Sequence, residues 1–206
     1  MVWCKMGVYP KNFEALVESL KKFPGVGEKS AERMALSIFE MSLEDIELMR
    51  EALLNCKKDL HPCSVCGYLT DQEVCPICSD ESRDKNLICV VEDYKSAFAF
   101  EKVGNFKGVY HILNGLISPM LNKGAEDINL SSLGRRIENL KHPELILALG
   151  SSLEAETTIL YIKEIFKSKD VTISRLSHGI PMGAEIEYLD MMTLDKALFD
   201  RKVISD

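Results

Sequence analysis

The chain has 206 residues, 46% hydrophobic and 28% charged, which is the composition of a folded globular protein and excludes a disordered or fibrous one. No run approaches the roughly 20 apolar residues needed to span a bilayer, and residues 1–10 lack the apolar stretch of a secretory signal, so the cytoplasm is the expected compartment. The net charge of −7 argues at first against nucleic acid.

The distribution of that charge softens the objection. Residues 1–58 hold nine Lys/Arg and nine Asp/Glu, whereas the rest holds 16 and 23. A neutral head with a local basic patch on an acidic body suits a protein that touches DNA at one end, although two plainly solvated halves would show the same balance. Met6 is a second candidate start, so Trp3 and Cys4 carry no argument.

In chain order, Phe13, Leu16, Val17 and Leu20 have the spacing of an amphipathic helix. Phe23-Pro24-Gly25-Val26-Gly27 breaks it. A second helix follows, with Ala31, Met34, Ala35 and Ile38 on its apolar face. Ser42, with Asp45 three residues on, caps a third helix running to about Lys58. Residues 61–80 are cysteine-rich and loop-like. Beyond them, short apolar runs at Leu87–Asp93, Gly108–Asn114, Glu144–Gly150 and Val171–Ser177 alternate with helical segments at 95–103, 131–141 and 154–168. Continuous apolar strands alternating with helices imply a parallel sheet covered on both faces. Gly115–Leu130 is expected to be an irregular insertion. The stretch from His178 onward has no assignable pattern.

Four of the seven cysteines form one cluster. Cys63-Ser64-Val65-Cys66 and Cys75-Pro76-Ile77-Cys78 are two C-x-x-C pairs with eight residues between them. Each pair can point two thiolates at one ion, and together they close a tetrahedral shell, so the expected cofactor is a structural Zn2+. A disulfide pair or a redox-active C-x-x-C is the competing reading, and two such pairs side by side favour metal. Metal binding would contribute on the order of 10 kcal/mol to a module too small to fold alone. His61 stands near Cys63, but four thiolates already fill the shell. His111, His142 and His178 are scattered, with no nucleophile beside them. Cys89 reads as a small buried hydrophobe within its apolar run.

The Pro24-Gly25-Val26-Gly27 turn between two amphipathic helices has the pattern of a helix-hairpin-helix. Glycines allow a tight turn and close backbone approach, and the next helix presents free N–H groups and the positive end of its dipole to an anion. Lys29 and Arg33 share a helix face opposite the apolar one, and Lys21 and Lys22 close the preceding helix. Gly25, Gly27, Lys21, Lys22, Lys29 and Arg33 are therefore the candidate contacts to a phosphate backbone. Gly25-x-Gly27-x-Lys29-Ser30 lacks the spacing and the preceding strand of a phosphate loop. A plain helical hairpin with exposed lysines is the alternative.

Taken in order, these elements are similar to the bacterial RecR family. Phe23-Pro24-Gly25-Val26-Gly27-Glu28-Lys29-Ser30-Ala31-Glu32-Arg33-Met34-Ala35 resembles its N-terminal hairpin signature, and the cysteine cluster falls where that family has its zinc finger. Leu87-Ile88-Cys89-Val90-Val91-Glu92 resembles the first strand of its Toprim domain, and Ser177–Asp190 its C-terminal segment. The resemblance implies a helix-hairpin-helix region at 1–58, a four-cysteine zinc finger at 59–80, a Toprim-like α/β domain at 81–176 and a C-terminal assembly segment at 177–206. It also implies a non-catalytic recombination mediator at the bacterial nucleoid. Such a protein forms dimers that join into a tetrameric ring, binds single-stranded, gapped and duplex DNA, and acts with the RecO and RecF proteins to load recombinase.

Toprim domains bind magnesium through a Glu after the first strand and a carboxylate pair after a later one. The resemblance places Glu92, Glu154 and Glu156 in these positions, with Ala155 where the family usually has Gly. Three carboxylates at strand ends can hold a hard cation, which motivates a competing reading as a magnesium-dependent nuclease or nicking enzyme. Equally, Glu154 and Glu156 suit the start of a helix, where its dipole favours acidic residues, and the acidic patch suits a basic partner protein. A structural hub that never touches DNA is the third reading.

Overall fold

The computed structural model describes residues 9–177, 180–181 and 183–201. Trp3, Cys4, Met6, His178, Gly179 and Met182 lie outside the described residues. The chain divides into two units, residues 1–59 and 60–206.

The first unit is helical. Helix α1 spans Lys11–Leu20, α2 Glu28–Glu40 and α3 Leu43–Asp59. Val17, Ala31 and Ala35 are its buried residues, with Phe13, Leu16, Leu20 and Val26 packed around them. The two alanines let α1 approach α2 closely. Met34, expected on the same buried face, is instead 44% exposed. Helical spacing shows that a face is apolar but not how far the neighbouring helix covers it. Ser42 starts α3 as expected, its Oγ accepting the Asp45 N–H at 3.0 Å and donating to the Asp45 carboxylate at 2.7 Å.

The second unit opens with a two-residue antiparallel ribbon, β1 (His61–Pro62) paired with β2 (Leu69–Thr70), followed by the one-turn helix α4 (Pro76–Ser79). Four parallel strands follow: β3 (Asp84–Val91), β4 (Gly108–Ile112), β5 (Glu144–Ala148) and β6 (Thr172–Arg175), in the order β4-β3-β5-β6. Helices α5 (Tyr94–Val103), α6 (Leu130–Ile137) and α7 (Leu153–Phe166) connect them. Ile88, Val90, Val91, Val109, Ile112, Leu145 and Leu147 from the strands are buried with Leu133, Ile162 and Phe166 from the helices. This is the α/β arrangement expected from the alternating runs. The insertion at Gly115–Leu130 is irregular as expected, with two short 3-10 turns and one antiparallel bridge, Ser118 to Lys123. Thr158, fully buried on α7, anchors it: its Oγ1 accepts the Ile117 N–H at 2.9 Å and donates to the Glu154 carbonyl at 2.7 Å. The unpatterned end contains a 3-10 turn at Ile186–Tyr188 and a last helix, α8 (Met191–Phe199).

Candidate functional site

The cysteine cluster is built into the α/β core. Cys63, Cys66 and Cys75 are buried in one apolar cluster with Ile88, Val109, Tyr110 and Ile112. The β4 strand ties down the first knuckle, with the Ile112 N–H donating to the Cys66 carbonyl at 2.8 Å. Gly67 closes that knuckle at φ +76°, where a side chain would be strained, and a Cβ there would meet Ile112 and Asn129 at 3.3 Å. The sulfurs of Cys63, Cys66, Cys75 and Cys78 all lie within 4.8 Å of one another. The Cys66 and Cys75 sulfurs are 3.6 Å apart, against about 3.8 Å for two thiolates on a tetrahedral zinc with Zn–S near 2.3 Å. Two backbone N–H groups point at the sulfurs, from Tyr68 to Cys66 at 3.4 Å and from Cys75 to Cys63 at 3.3 Å. The donor set is a closed tetrathiolate, and it fits structural zinc. His61 is exposed on β1 and stands outside this group.

The hairpin occupies the first unit. Gly25 takes φ +80°, the left-handed turn that the sequence anticipates. Gly27 is different: it sits at φ −84°, ψ 174° as the N-cap of α2, a conformation open to any residue. Its contribution is absence, because it has no side chain to cap the helix, and a Cβ at either glycine would meet nothing within 4 Å. The N–H groups of Glu28, Lys29 and Ser30 find no acceptor among the described residues, which leaves the α2 N-terminus open to an outside anion. Lys22, Lys29 and Arg33 are exposed there, without an ion pair among the described residues. Lys21 differs, since its ammonium is held by Glu18 at 2.7 Å.

These parts match known proteins. Residues 13–57 match the RecR helix-hairpin-helix family, 60–80 the RecR Cys4-zinc finger domain, 86–177 the Toprim domain and 179–202 the RecR C-terminal family. A relative from Staphylococcus saprophyticus, named recombination protein RecR, is 43% identical over 193 residues, covering 94% of this chain and 98% of its own length. The chain belongs to the RecR family. As a RecR-family chain it carries a helix-hairpin-helix, a four-cysteine zinc site that holds a structural Zn2+, and a Toprim domain with a parallel four-stranded sheet.

The Toprim carboxylates are arranged differently from the cysteines. Glu92 directly follows β3, and Glu154 and Glu156 lie in the first turn of α7, which Ser152 caps through the Ala155 N–H. Ala155 is fully buried. Glu156 is clamped by Arg175 at the end of β6, with two bonds of 3.0 and 3.2 Å, and by Lys196 of α8 at 3.4 Å. The Arg175 bonds hold its carboxyl below the usual range. Among the described residues the ligand atoms of the four cysteines alone form a group lying within 4.8 Å of one another; those of Glu92, Glu154 and Glu156 do not. Arg175 and Lys196 went unread in the sequence because they lie 19 and 40 residues from Glu156. No helix among the described residues is long and apolar enough to cross a membrane.

Proposed function

We propose that this chain is a recombination mediator in DNA repair whose first unit grips the sugar–phosphate backbone without reading bases. The observation that carries this is the open N-terminus of α2 behind the Gly25–Gly27 turn, where exposed Lys22, Lys29 and Arg33 make no ion pair among the described residues, although Glu28 sits in the same first turn. Lys21 is a weaker contributor, because DNA would have to displace Glu18. The similar protein's name, recombination protein RecR, supports the same process.

Few cations per chain, against a net charge of −7, make one copy a poor DNA ligand. An assembly of copies into a ring multiplies these contacts through high effective concentration. Large exposed apolar side chains support such an assembly: Phe39 and Leu43 in the first unit, and Tyr188, Met191 and Phe199 near the C-terminus. In this reading the ring is built from dimers and acts with RecO and RecF to load recombinase on gapped single strands, and the acidic face around Glu92 and Glu154 meets a basic partner. The protein acts as an adaptor, and Glu156 serves an ion pair.

The test is a gel-shift series on gapped, single-stranded and duplex DNA with magnesium present, run beside sizing of the free protein. The expected result is retarded, intact DNA and a protein larger than one chain. DNA left unshifted at low salt contradicts the reading. So does magnesium-dependent cleavage that disappears in Glu92→Gln.

A further inference from the structure

We propose that Lys85 and Arg136, two cations outside the cysteine segment, are the counter-charges of the zinc site and set how tightly it holds its metal. Four thiolates around a divalent ion leave a net charge of about −2. Cys63, Cys66 and Cys75 are at most 4% exposed and Cys78 is half-buried, so water screens that charge poorly, and a buried charge needs a partner. The N–H bonds from Tyr68 and Cys75 spread part of it but carry no formal charge.

Lys85 comes from β3 and reaches back over the second knuckle. Its ammonium donates to the Cys78 carbonyl at 3.0 Å, to the Ile77 carbonyl at 3.4 Å and to the Asp80 carbonyl. It thereby caps the open end of α4, the turn that carries Cys78. Arg136 comes from the last turn of α6 and is half-buried. One arm donates to the Tyr110 carbonyl of β4 at 2.6 Å. The guanidinium shares a concave patch with Ser64 and Val65 of the first knuckle. Neither cation makes an ion pair among the described residues; the Asp80 carboxylate, which feels Lys85, pairs with Arg83 at 3.5 Å. The half-buried Arg83 shows the contrast, since it takes Glu101 at 2.7 Å. Two half-buried positive charges outside any ion pair among the described residues, set against a site of two negative charges, balance it. The partners of metal ligands orient them and tune the metal, and losing one typically lowers affinity on the order of 10- to 100-fold.

The experiment uses the full-length protein and Zn2+ alone, in competition with a chromogenic chelator, together with the thiolate-to-metal charge-transfer band of the Co2+-loaded form. Arg136→Gln and Lys85→Met are each expected to weaken Zn2+ roughly tenfold or more and to move the cobalt band. Arg136→Lys keeps the charge but loses the planar fork, so it should stay within about threefold of wild type. Arg135→Gln, one residue away and exposed, is expected to bind as wild type does. If Arg136→Gln and Lys85→Met hold Zn2+ as the wild type does, the proposal is overturned. It is equally overturned if Arg136→Lys loses as much as Arg136→Gln, because packing and hydrogen bonding would then explain Arg136.

Discussion

His111 gives the sharpest test of the α/β core. It lies on β4 with no exposed surface, and its Nε2–H donates to the Asn129 carbonyl at 2.7 Å. The other ring nitrogen, Nδ1, is buried without a partner among the described residues, so a second proton there would find none of them to bond to. Burial, chiefly, lowers the pKa to about 4 from an ordinary 6.5. The unfolded chain therefore binds the proton first as pH falls. Stability from this group is complete above the unfolded value and is lost between pH 6.5 and pH 4. At pH 5 the two values imply a loss of about 2 kcal/mol relative to pH 7, approaching about 3 kcal/mol at pH 4. The assay is urea unfolding at pH 7 and pH 5 with excess zinc, on wild type and on His111→Gln. Other titrating groups are common to both proteins, so the wild type should lose about 2 kcal/mol more than the variant on acidification. An equal loss in the two proteins, or an imidazole that titrates near 6.5 by NMR, would refute the reasoning.

Two further substitutions probe the scaffold that positions the zinc and Toprim parts. Thr158→Val keeps the shape but leaves the buried Ile117 N–H without its acceptor, and should cost about 1–3 kcal/mol in denaturant unfolding; an unchanged midpoint would show that the insertion is not anchored there. Glu101→Gln weakens the two-bond clamp on Arg83, at 2.7 and 2.9 Å, and replaces the charged acceptor of the Tyr110 hydroxyl. Both partners are less than one-third exposed, so the expected loss is about 2 kcal/mol, read in the same assay.

The parts legible in the sequence are those whose determinants are local. Leu87–Val91 and Glu144–Ala148 read as strands because β3 and β5 lie inside the sheet, flanked on both sides and buried. The C-x-x-C pairs and Gly67 declared a metal knuckle because each pair needs only its own turn. What stayed hidden depends on distant partners. The Glu154–Glu156 spacing resembles that of a Toprim metal-binding pair, yet the sequence does not show that Arg175 and Lys196 hold Glu156. Lys85 in a strand and Arg136 in a helix look like surface charges until the fold sets them beside the knuckles. Met34 belongs to an apolar face, but helical spacing cannot say that it stays 44% exposed. The helix expected over 131–141 ends at Ile137; His142 at φ +48° then precedes Pro143, a proline that disfavours helix in the residue before it.

The measurement that bears most directly on the whole account is the salt dependence of single-stranded DNA binding by wild type and by the Lys29→Ala, Arg33→Ala double variant. Each phosphate contact adds about 0.7 to the slope of log K against log salt on single strands. Losing two cations beside the α2 N-terminus should therefore flatten the slope by about 1.4 per engaged hairpin and weaken low-salt binding roughly tenfold or more, with zinc content and oligomer size unchanged. A double variant that binds as tightly as wild type, with the same slope, would contradict the claim that this hairpin holds the DNA.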